Sequence, residues 1–450
     1  MNRRQFIGSL SAGAAAAQTR RTAAPNILLI VADDLGYGDL GCYGQTRIQT
    51  PNLDRLAAEG VRFSQAYAGS TVCAPSRCCL MTGLHTGHAR TRGNKFPDLP
   101  LRPQDITIAE VLKQAGYRCG IFGKWSLGGL STTGYPLRKG FDEWFGFFSQ
   151  THAHTYYPDH LLHNEREVLL RGNFGVGKKK DYAHDLVTQY ALRYLEQRDE
   201  RPFFVHLAYT IPHANNEMGR DTGNGMEVPT DAPYSGRNWP QQEKNFAAMI
   251  TRMDSDVGKV MDQLKASGRD ENTLVVFTSD NGPHSEGGHN PSFFESRGPL
   301  RGIKRDMYEG GIRVPTLARW PGKIQAGRVS DQVMAFWDLL PTCAELAGAK
   351  PPEGLDGISM APALLGKLQR DHEYLYWEFH ERGFHQAVRM GDWKGVRLGS
   401  RQPVELYNLS TDLSERENVA GRHPEVASKI ERILQTARTE SAEWPIKERN

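Results

Sequence analysis

Two pairs of neighbouring oxygen-bearing side chains stand directly after apolar runs of the sequence. Asp33 and Asp34 follow one run, and Asp280 and Asn281 follow another. Together they would offer three carboxylates and one amide oxygen, and hard oxygen ligands without histidine or thiolate suit calcium or magnesium. Either pair alone could instead cap a strand end or form a turn. We favour a cation, because adjacent carboxylates beside a buried sheet need one, or strong hydrogen bonds, to stay ionised.

Cys73 opens a second chemically informative string, Cys-Ala-Pro-Ser-Arg, which ends at Arg77. Pro75 suits the first turn of a helix, so Cys73 is expected at a helix N-terminus, where backbone amides and the helix dipole favour negative charge. Chemistry alone leaves two interpretations open, an activated thiolate paired with a histidine and an inert buried thiol. The other cysteines are sparse and lack CxxC spacing, which indicates neither a zinc site nor a disulfide framework.

Four continuous apolar runs predict the strands that must position these side chains, at 26–32, 119–122, 202–208 and 273–278. Such runs, rather than strict alternation, indicate strands that are covered on both faces. Helical patterns lie between them, at 50–59, 107–115 and 243–264. Alternating strands and helices predict an α/β sandwich. Ligands of open α/β sheets gather beyond the carboxyl ends of the strands, and polar or glycine-rich residues follow all four runs, so we expect one shared site.

The two ends of the chain differ from its centre in residue composition and in predicted secondary structure. Arg3 and Arg4 precede a mild apolar stretch rich in Ala and Gly, which predicts a twin-arginine export signal over 1–24 and a periplasmic or extracellular location. The signal is too short and too weakly apolar for a lasting membrane anchor. We assign 25–369 to a catalytic domain and 370–450 to a small C-terminal α+β subdomain. Its predicted antiparallel strands and final helix lie at 374–379, 386–389, 393–396, 405–407 and 425–437.

The composition excludes some classes of function. The chain has 450 residues and a formal net charge of +3, with acids and bases intermixed. Because the sequence contains no basic run with interleaved aromatics, we expect no nucleic-acid partner. The segment 215–242 is polar and rich in Gly, Pro and Asn, which predicts a substrate-binding or poorly ordered loop. The oligomeric state is not predicted.

The string from Cys73 to Arg77, followed by Leu-Met-Thr-Gly at 80–83, resembles the signature of type I sulfatases. In that family the cysteine is oxidised during synthesis to formylglycine. Further family strings follow in order, at 32–36, 123–125, 212–213, 279–282, 302–304 and 309–315. The resemblance implies an α/β fold like that of alkaline phosphatase, with a large mixed, mostly parallel sheet flanked by helices and a small C-terminal antiparallel sheet.

The resemblance also implies roles for these residues. Formylglycine, made from Cys73 by a maturation enzyme, would be hydrated to a geminal diol and bound to calcium, with magnesium as the less favoured ion. The ligands would be Asp33, Asp34, Asp280, Asn281 and the modified Cys73. The remaining catalytic groups would be Arg77 holding the diol, Lys124 and Lys304 neutralising sulfate oxygens, and His213 protonating the departing sugar oxygen. The second hydroxyl of the diol could then expel sulfate, so that water need not attack the sulfur of the covalent intermediate.

One position departs from the family pattern. Ser126 follows Gly-Lys-Trp where the family string has a histidine, and a serine cannot act as a base near neutral pH. His152 or His154 could replace that histidine, or either could be an exposed loop residue. The string 152–158 resembles a branch of polysaccharide sulfatases that act on galactose or N-acetylgalactosamine sulfates, and the resemblance does not separate 4-O- from 6-O-sulfate. His284, just after the metal pair, is a further candidate for substrate contact.

Two alternatives stay open at this point. A phosphomonoester, phosphodiester or phosphonate hydrolase could use the same scaffold. A phosphate dianion, however, would be stabilised by extra positive charge or a second metal, and the sequence offers ligands for only one cation. An inactive, calcium-bound carbohydrate-binding protein is the second alternative, and the missing histidine favours it. The preferred interpretation is an exported hydrolase of carbohydrate sulfate esters.

Overall fold

The computed structural model describes residues 24–447, so the predicted export signal lies outside the described residues except for its last position. The helices within this range are α1 (Pro51–Ala58), α2 (Cys73–Thr82), α3 (Ile108–Gln114), α4 (Ala183–Glu196), α5 (Asn216–Thr222), α6 (Gln241–Ala266), α7 (Glu309–Ile312), α8 (Leu339–Ala347), α9 (Ala361–Leu364) and α10 (Pro424–Thr436). The strands are β1 (Asn26–Ala32), β2 (Val61–Phe63), β3 (Ala66–Tyr67), β4 (Arg118–Gly123), β5 (Glu143–Gly146), β6 (His160–His163), β7 (Arg166–Leu169), β8 (Phe203–Ala208), β9 (Thr273–Ser279), β10 (Thr316–Arg319), β11 (Arg328–Ser330), β12 (Met334–Ala335), β13 (Leu375–Phe379), β14 (His385–Met390), β15 (Trp393–Leu398) and β16 (Glu405–Asn408).

A ten-stranded mixed sheet organises most of the chain, in the order β11-β2-β10-β9-β1-β8-β4-β5-β6-β7. The five central strands, from β9 to β5, are parallel to one another. Antiparallel pairs extend the sheet on both sides, through β10 and through β6 and β7. The predicted α/β fold with a large, mostly parallel sheet is confirmed.

The central strands are buried on both faces, as their continuous apolar sequences predict. In β1 the alternating residues Ile27, Leu29 and Val31 join one core, which also contains side chains of α2, α3 and α8. The intervening residues Leu28 and Ile30 join a second core, with side chains of α1, α4 and α6. The sheet therefore separates two helical layers, and its strand ends hold fixed positions between them.

The predicted helices are confirmed, with ends that differ by one or two residues. The first turn of α3 is closed by a capping box, in which Thr107 accepts from the amide of Glu110 and Glu110 accepts from the amide of Thr107. The methionines of α6 lie in the core, as its helical spacing predicts. The segment 215–242 is not a continuous loop, because it includes α5, whose N-cap Asn215 accepts from the amide of Met218.

The C-terminal region forms a separate four-stranded antiparallel sheet, in the order β13-β14-β15-β16. Ile430 and Leu434 of α10 are buried against it in a third apolar cluster, which confirms the predicted small α+β unit. The boundary between residues 369 and 370 stays a prediction.

All six cysteines lie in the described range and are free thiols. No helix within residues 24–447 combines the length and apolar character that a membrane crossing requires.

Candidate active site

The register of the sheet brings the two acidic pairs together. Strands β1 and β9 are adjacent and parallel, and Ala32 pairs with Ser279, so the residues that follow both strands leave the sheet side by side. The amide of Asp34 donates to Asp280 Oδ1 at 3.2 Å, and Asn281 Nδ2 donates to Asp34 Oδ1 at 2.7 Å. All four side chains of the two pairs are fully buried. The structure thus places three carboxylates and an amide at one sheet edge.

Cys73 begins α2, as predicted, and its side chain reaches the first acidic pair. The Cys73 thiol donates to Asp33 Oδ1 at 3.3 Å. Ligand atoms of Asp33, Asp34, Cys73 and His213 all lie within 4.8 Å of one another. Burial and the neighbouring charge of Asp33 raise the pKa of the Cys73 thiol well above its usual range. The unmodified residue therefore favours the thiol form, which argues against the thiolate that a cysteine hydrolase requires.

Arg77 lies one helical turn after Cys73 and links three elements at this edge. Its Nε and Nη2 donate to Asp280 Oδ2 at 3.0 and 2.8 Å. Its Nη1 donates to the carbonyl oxygen of Lys124 at 3.1 Å, directly after β4. The guanidinium is 1% exposed, so its planar fork holds α2 against the ends of β9 and β4 without competition from solvent.

Two buried lysines contact the carboxylates of the first pair. Lys124 Nζ donates to Asp33 Oδ2 at 2.6 Å, and Lys304 Nζ donates to Asp34 Oδ2 at 2.8 Å. Burial lowers the pKa of each lysine, but the neighbouring negative charges together, that of its aspartate partner foremost, outweigh burial and raise the pKa, so both remain cationic. For Asp33, burial raises the pKa, yet the charges around it, Lys124 foremost, hold it well below its usual range. Asp33 and the two lysines are consequently ionised.

The tautomer of His213 follows from its two partners. Its Nδ1 lies 2.6 Å from the carbonyl oxygen of Ala214 and must carry the hydrogen. Burial and the charge of Lys304 lower the pKa of His213 well below 6.5, so the ring is neutral and Nε2 carries a lone pair. Lys304 Nζ is 3.2 Å from this Nε2 and donates to it. Lys304 and His213 therefore form a hydrogen-bonded pair facing the acidic residues.

The donor set fits a hard divalent cation. Asn281 Oδ1 is buried and finds no hydrogen-bond partner among residues 24–447, although its Nδ2 is held by Asp34. An orphaned buried carbonyl oxygen costs free energy unless a ligand satisfies it, and a cation is such a ligand. Burial and the charge of Asp33 also raise the pKa of Asp280 to about 7, despite the contact with Arg77. This geometry and crowding of negative charge agree with the oxygen set that calcium or magnesium prefers.

Glu286 and Arg305 also belong to the site, and the sequence analysis missed both. Glu286 Oε2 accepts from Lys304 Nζ at 3.0 Å and lies 3.8 Å from His213 Nε2. Its Oε1 accepts from Arg305 Nη1. The sequence did contain a signal, because Glu286 follows the second metal pair by five residues and Arg305 stands directly after Lys304. Because Glu286 and Arg305 carry opposite charges and each lies near a family string, their ion pair could have been predicted from charge alone.

Ser126 and His154 both lie close to the cluster. Ser126 follows Lys124 by two residues, has a left-handed backbone at φ 65° and is buried. Its Oγ has no hydrogen-bond partner in the described part of the chain. The ring of His154 stacks on His213, with 4.5 Å between centroids and 16° between planes. Burial lowers the pKa of His154 to about 2, so His154 is neutral.

His152 lies outside the acidic cluster, and His284 is placed differently from its prediction as a substrate residue. The ring of His152 lies against Phe147 and His160 and is not part of the acidic cluster. His284 is fully buried, its Nε2 donates to the carbonyl oxygen of Pro212 at 3.0 Å, and its Nδ1 accepts from the amide of Glu286. Both ring nitrogens of His284 are used within the protein. The expectation for His284 is therefore corrected, since it positions the Glu286 loop and has no ring nitrogen left for substrate.

A second histidine and carboxylate group lies beyond the opposite end of α2. His85 and His88 stack on each other, and both face Asp356. The amide of Gly87 donates to His85 Nδ1 at 3.1 Å, which assigns the ring hydrogen of neutral His85 to Nε2. That nitrogen faces Asp356 as a donor rather than as a metal ligand. The group therefore ties the loop after α2 to the segment around Asp356.

Fold and site together define a hydrolase with a buried cationic and acidic centre at the carboxyl edge of a parallel sheet. The sulfatase family pattern matches residues 25–349, and the pattern described as N-sulphoglucosamine sulphohydrolase, C-terminal, matches residues 303–440. The chain belongs to the sulfatase family. It is a type I sulfatase of the alkaline phosphatase-like superfamily, which confirms the resemblance in the sequence and makes the protein an enzyme that hydrolyses sulfate esters.

Named sulfatases align with most of this chain. It is 34% identical to the N-acetylgalactosamine-6-sulfatase of Canis lupus familiaris, over 88% of this chain and 76% of the relative. It is also 34% identical to arylsulfatase A of Homo sapiens, over 96% of this chain and 90% of that protein. The solved structure of Ps i-CgsB in complex with k-i-k-neocarrahexaose superimposes with a TM-score of 0.80 and 32% identity, over 92% of each chain.

Proposed function

We propose that this enzyme removes sulfate from a carbohydrate, with galactose or N-acetylgalactosamine sulfate in a polysaccharide or glycosaminoglycan as the substrate class. The observation that carries the proposal is the convergence of Cys73, the acidic pairs and two buried lysines at one sheet edge. Relatives named for N-acetylgalactosamine 6-sulfate, and a similar structure solved with a neocarrahexaose, support a sugar as the carrier of the sulfate.

The protein's own residues supply charge and proton handling for this reaction. Sulfate ester hydrolysis gathers negative charge on the sulfate oxygens, and Lys124 and Lys304 offer ammonium groups that need no reorganisation to meet it. Arg77 is held by Asp280, so its guanidinium stays fixed beside Cys73. The hydrogen-bonded Lys304 and His213 pair holds a proton at Nζ and an acceptor at Nε2. That pair can deliver a proton to the departing sugar oxygen.

The proposed nucleophile is formylglycine, formed from Cys73 by a maturation enzyme, because Cys73 opens the string that resembles the signature of the sulfatase family. A divalent cation, calcium in preference to magnesium, would be held by Asp33, Asp34, Asp280 and Asn281 and would supply positive charge for activating an oxygen nucleophile. The unsatisfied Oδ1 of Asn281 supports that ligand set.

The two alternatives now have less support. Membership of the sulfatase family favours sulfate over phosphate esters, and the complete set of Cys73, Arg77, Lys124, His213 and Lys304 favours an enzyme over a binding protein. We also propose export, from Arg3 and Arg4 at the start of the chain.

The proposed function is tested by a desulfation screen on defined sugars together with mass spectrometry of the native protein. We expect turnover of galactose or N-acetylgalactosamine carrying 4-O- or 6-O-sulfate. Conversion of Cys73 to formylglycine lowers the peptide mass by ~18 Da, as expected for an activated nucleophile of this kind. Unmodified Cys73 in native material without turnover would contradict the proposal. A higher kcat/KM for an aryl phosphate than for the matched aryl sulfate would assign the enzyme to phosphate esters.

A further inference from the structure

An open apolar cleft lies beside the candidate active site. It has a volume of about 650 Å³, and its lining includes Phe96, Asp98, Leu130, Phe148, Thr151 and His152. We call it the aromatic cleft. Phe96 is 81% exposed and Phe148 is 52% exposed, although apolar side chains of this size are usually buried. Two exposed aromatic rings in one cleft indicate a ligand-binding surface, because a bound ligand would remove their apolar area from water.

Three segments form the aromatic cleft, and each lies a few residues along the chain from the candidate site or from a residue that contacts it. The segment of Phe96 begins near Asn94, whose Oδ1 accepts from the amide of Ala74, the residue after Cys73. The segment of Leu130 begins after Lys124, within six residues along the chain. The segment of Phe148 continues to His154, which stacks on His213. The segments that line the cleft therefore lie close to the candidate active site.

Electrostatics also connect the two sites. Asp98 accepts from the amide of Gln150 at 3.0 Å, which ties the first segment to the third. Burial raises the pKa of Asp98, and the charge of Lys124 lowers it, so the Asp98 carboxyl lies near enough to Lys124 for their charges to interact. Asp98 is consequently the lining residue that links the aromatic cleft to Lys124.

The polar groups of the aromatic cleft suit sugar hydroxyls. The amide of Phe148 donates to His152 Nδ1 at 3.0 Å, which leaves the ring hydrogen of neutral His152 on Nε2 as a donor. Burial lowers the pKa of His152 to about 4, so this neutral form holds at physiological pH. Thr151 and Asp98 add a hydroxyl and a carboxylate among the lining residues. Apolar rings with a few convergent polar groups are the usual composition of a small-ligand site.

We infer that the aromatic cleft binds a sugar unit next to the sulfated one, so that the enzyme recognises an oligosaccharide chain rather than a lone sulfated monosaccharide. This inference rests on the proposed function. Phe96 and Phe148 would contact the apolar faces of the neighbouring ring, while His152 and Asp98 would hydrogen-bond to its hydroxyls. The sulfated unit itself would depend on Lys124 and Lys304 and not on the two phenylalanines.

The test compares two substrates in four proteins. The substrates are the sulfated galactose or N-acetylgalactosamine that the screen finds to be turned over, and a tetrasaccharide carrying the same sulfated unit at one end. The proteins are the wild type, Phe96→Ala, Phe148→Ala and the control Phe174→Ala, which removes a phenylalanine that is 43% exposed and is not among the lining residues of the cleft. Because both cleft phenylalanines are exposed, their removal should leave the fold intact.

We expect the wild type to have a lower KM for the tetrasaccharide than for the monosaccharide. Each cleft variant should raise the tetrasaccharide KM by about 3- to 10-fold, the equivalent of one aromatic contact, while monosaccharide kinetics stay within about twofold. A fifth protein, Phe96→Trp, keeps an aromatic ring and should retain the wild-type preference for the tetrasaccharide, while Phe174→Ala should leave the KM of both substrates unchanged.

Equal KM values of the wild type for both substrates would overturn the inference. So would cleft variants with an unchanged tetrasaccharide KM, or an equal rise for both substrates, which would assign the rings to the sulfated unit itself. Turnover of none of the sulfated sugars would contradict the proposed function instead, and with it this inference. Monosaccharide turnover distinguishes the two failures.

Discussion

Replacing Lys304 with methionine tests the charge arrangement of the site most directly. Lys304 is 3% exposed and contacts Asp34 Oδ2 at 2.8 Å, Glu286 Oε2 at 3.0 Å and His213 Nε2 at 3.2 Å. Methionine keeps the length of the side chain but removes the ammonium group. Loss of one fixed cationic donor to a developing oxyanion costs about 10²- to 10³-fold in kcat. We therefore expect kcat/KM for the sulfate ester to fall by at least ~10²-fold.

The same substitution also removes a buried ion pair, so its effect on stability must be separated from its effect on catalysis. Breaking such a pair costs about 3–5 kcal/mol, and we expect the lower end because Asp34 keeps Asn281 and Glu286 keeps Arg305. Lys394→Met is the matched control.

The control lysine is equally buried and contacts two carboxylates, Glu309 at 2.9 Å and Glu415 at 3.4 Å, outside the acidic cluster. Both variants should lose comparable free energy of unfolding in urea titrations, but only Lys304→Met should lose kcat/KM per folded molecule. A folded Lys304→Met protein within tenfold of the wild-type rate would refute the role of Lys304, as would an equal loss of rate in Lys394→Met.

Three further predictions follow from the same contacts. Cys73→Ala should keep the wild-type circular dichroism spectrum and melting temperature yet lose at least ~10³-fold in turnover, because it removes the nucleophile; near-normal turnover would contradict that role. Chelation with EDTA should abolish turnover and added calcium should restore it more fully than magnesium, as the oxygen ligand set requires, whereas full activity in EDTA would argue against a cation. Burial raises the pKa of Glu378, but the hydrogen bond from His380 and the charges of Arg92 and Arg438 hold it at about 2. The ionised Glu378 therefore stabilises the protein above about pH 4.5, and this stabilisation is lost as the pH falls toward 2. Glu378→Gln should therefore be less stable than the wild type by about 3 kcal/mol at pH 7, and urea titrations should show that difference shrinking with acidity; a constant difference down to pH 3 would refute the ionic explanation.

The sequence predicts the fold well where burial alone determines it. The run 26–32 matches β1 residue for residue, because a strand between two helical layers needs apolar side chains on both faces. In contrast, α4 was missed although Val187, Ala191 and Leu195 show helical spacing. The short strands β6 and β7 carry no continuous apolar run, since β7 is mostly exposed at the sheet edge. Their sequences therefore lack the signal that identified the central strands.

The candidate site was predictable in its membership but not in its hydrogen bonding. Strand ends and family strings identified Asp33, Asp280 and Cys73, and the register of β1 with β9 explains why they meet. Sequence reasoning could not assign His284 to an internal position, because its two partners are a backbone oxygen and a backbone amide. Backbone partners leave no trace in side-chain types. Glu286 was not predicted because its partners Lys304 and Arg305 lie 18 and 19 residues further along the chain.

The balance of charge in the site connects cation binding to sulfate binding. Four carboxylates, from Asp33, Asp34, Asp280 and Glu286, face four cations, from Arg77, Lys124, Lys304 and Arg305, in one buried network. The ammonium groups of Lys124 and Lys304 donate to these carboxylates, so a sulfate oxygen would share them with Asp33 and Asp34. A divalent cation on the same carboxylates would compete for those oxygens and leave the ammonium groups available to sulfate. We therefore expect anion recognition by the two buried lysines to depend on a cation at the acidic pairs.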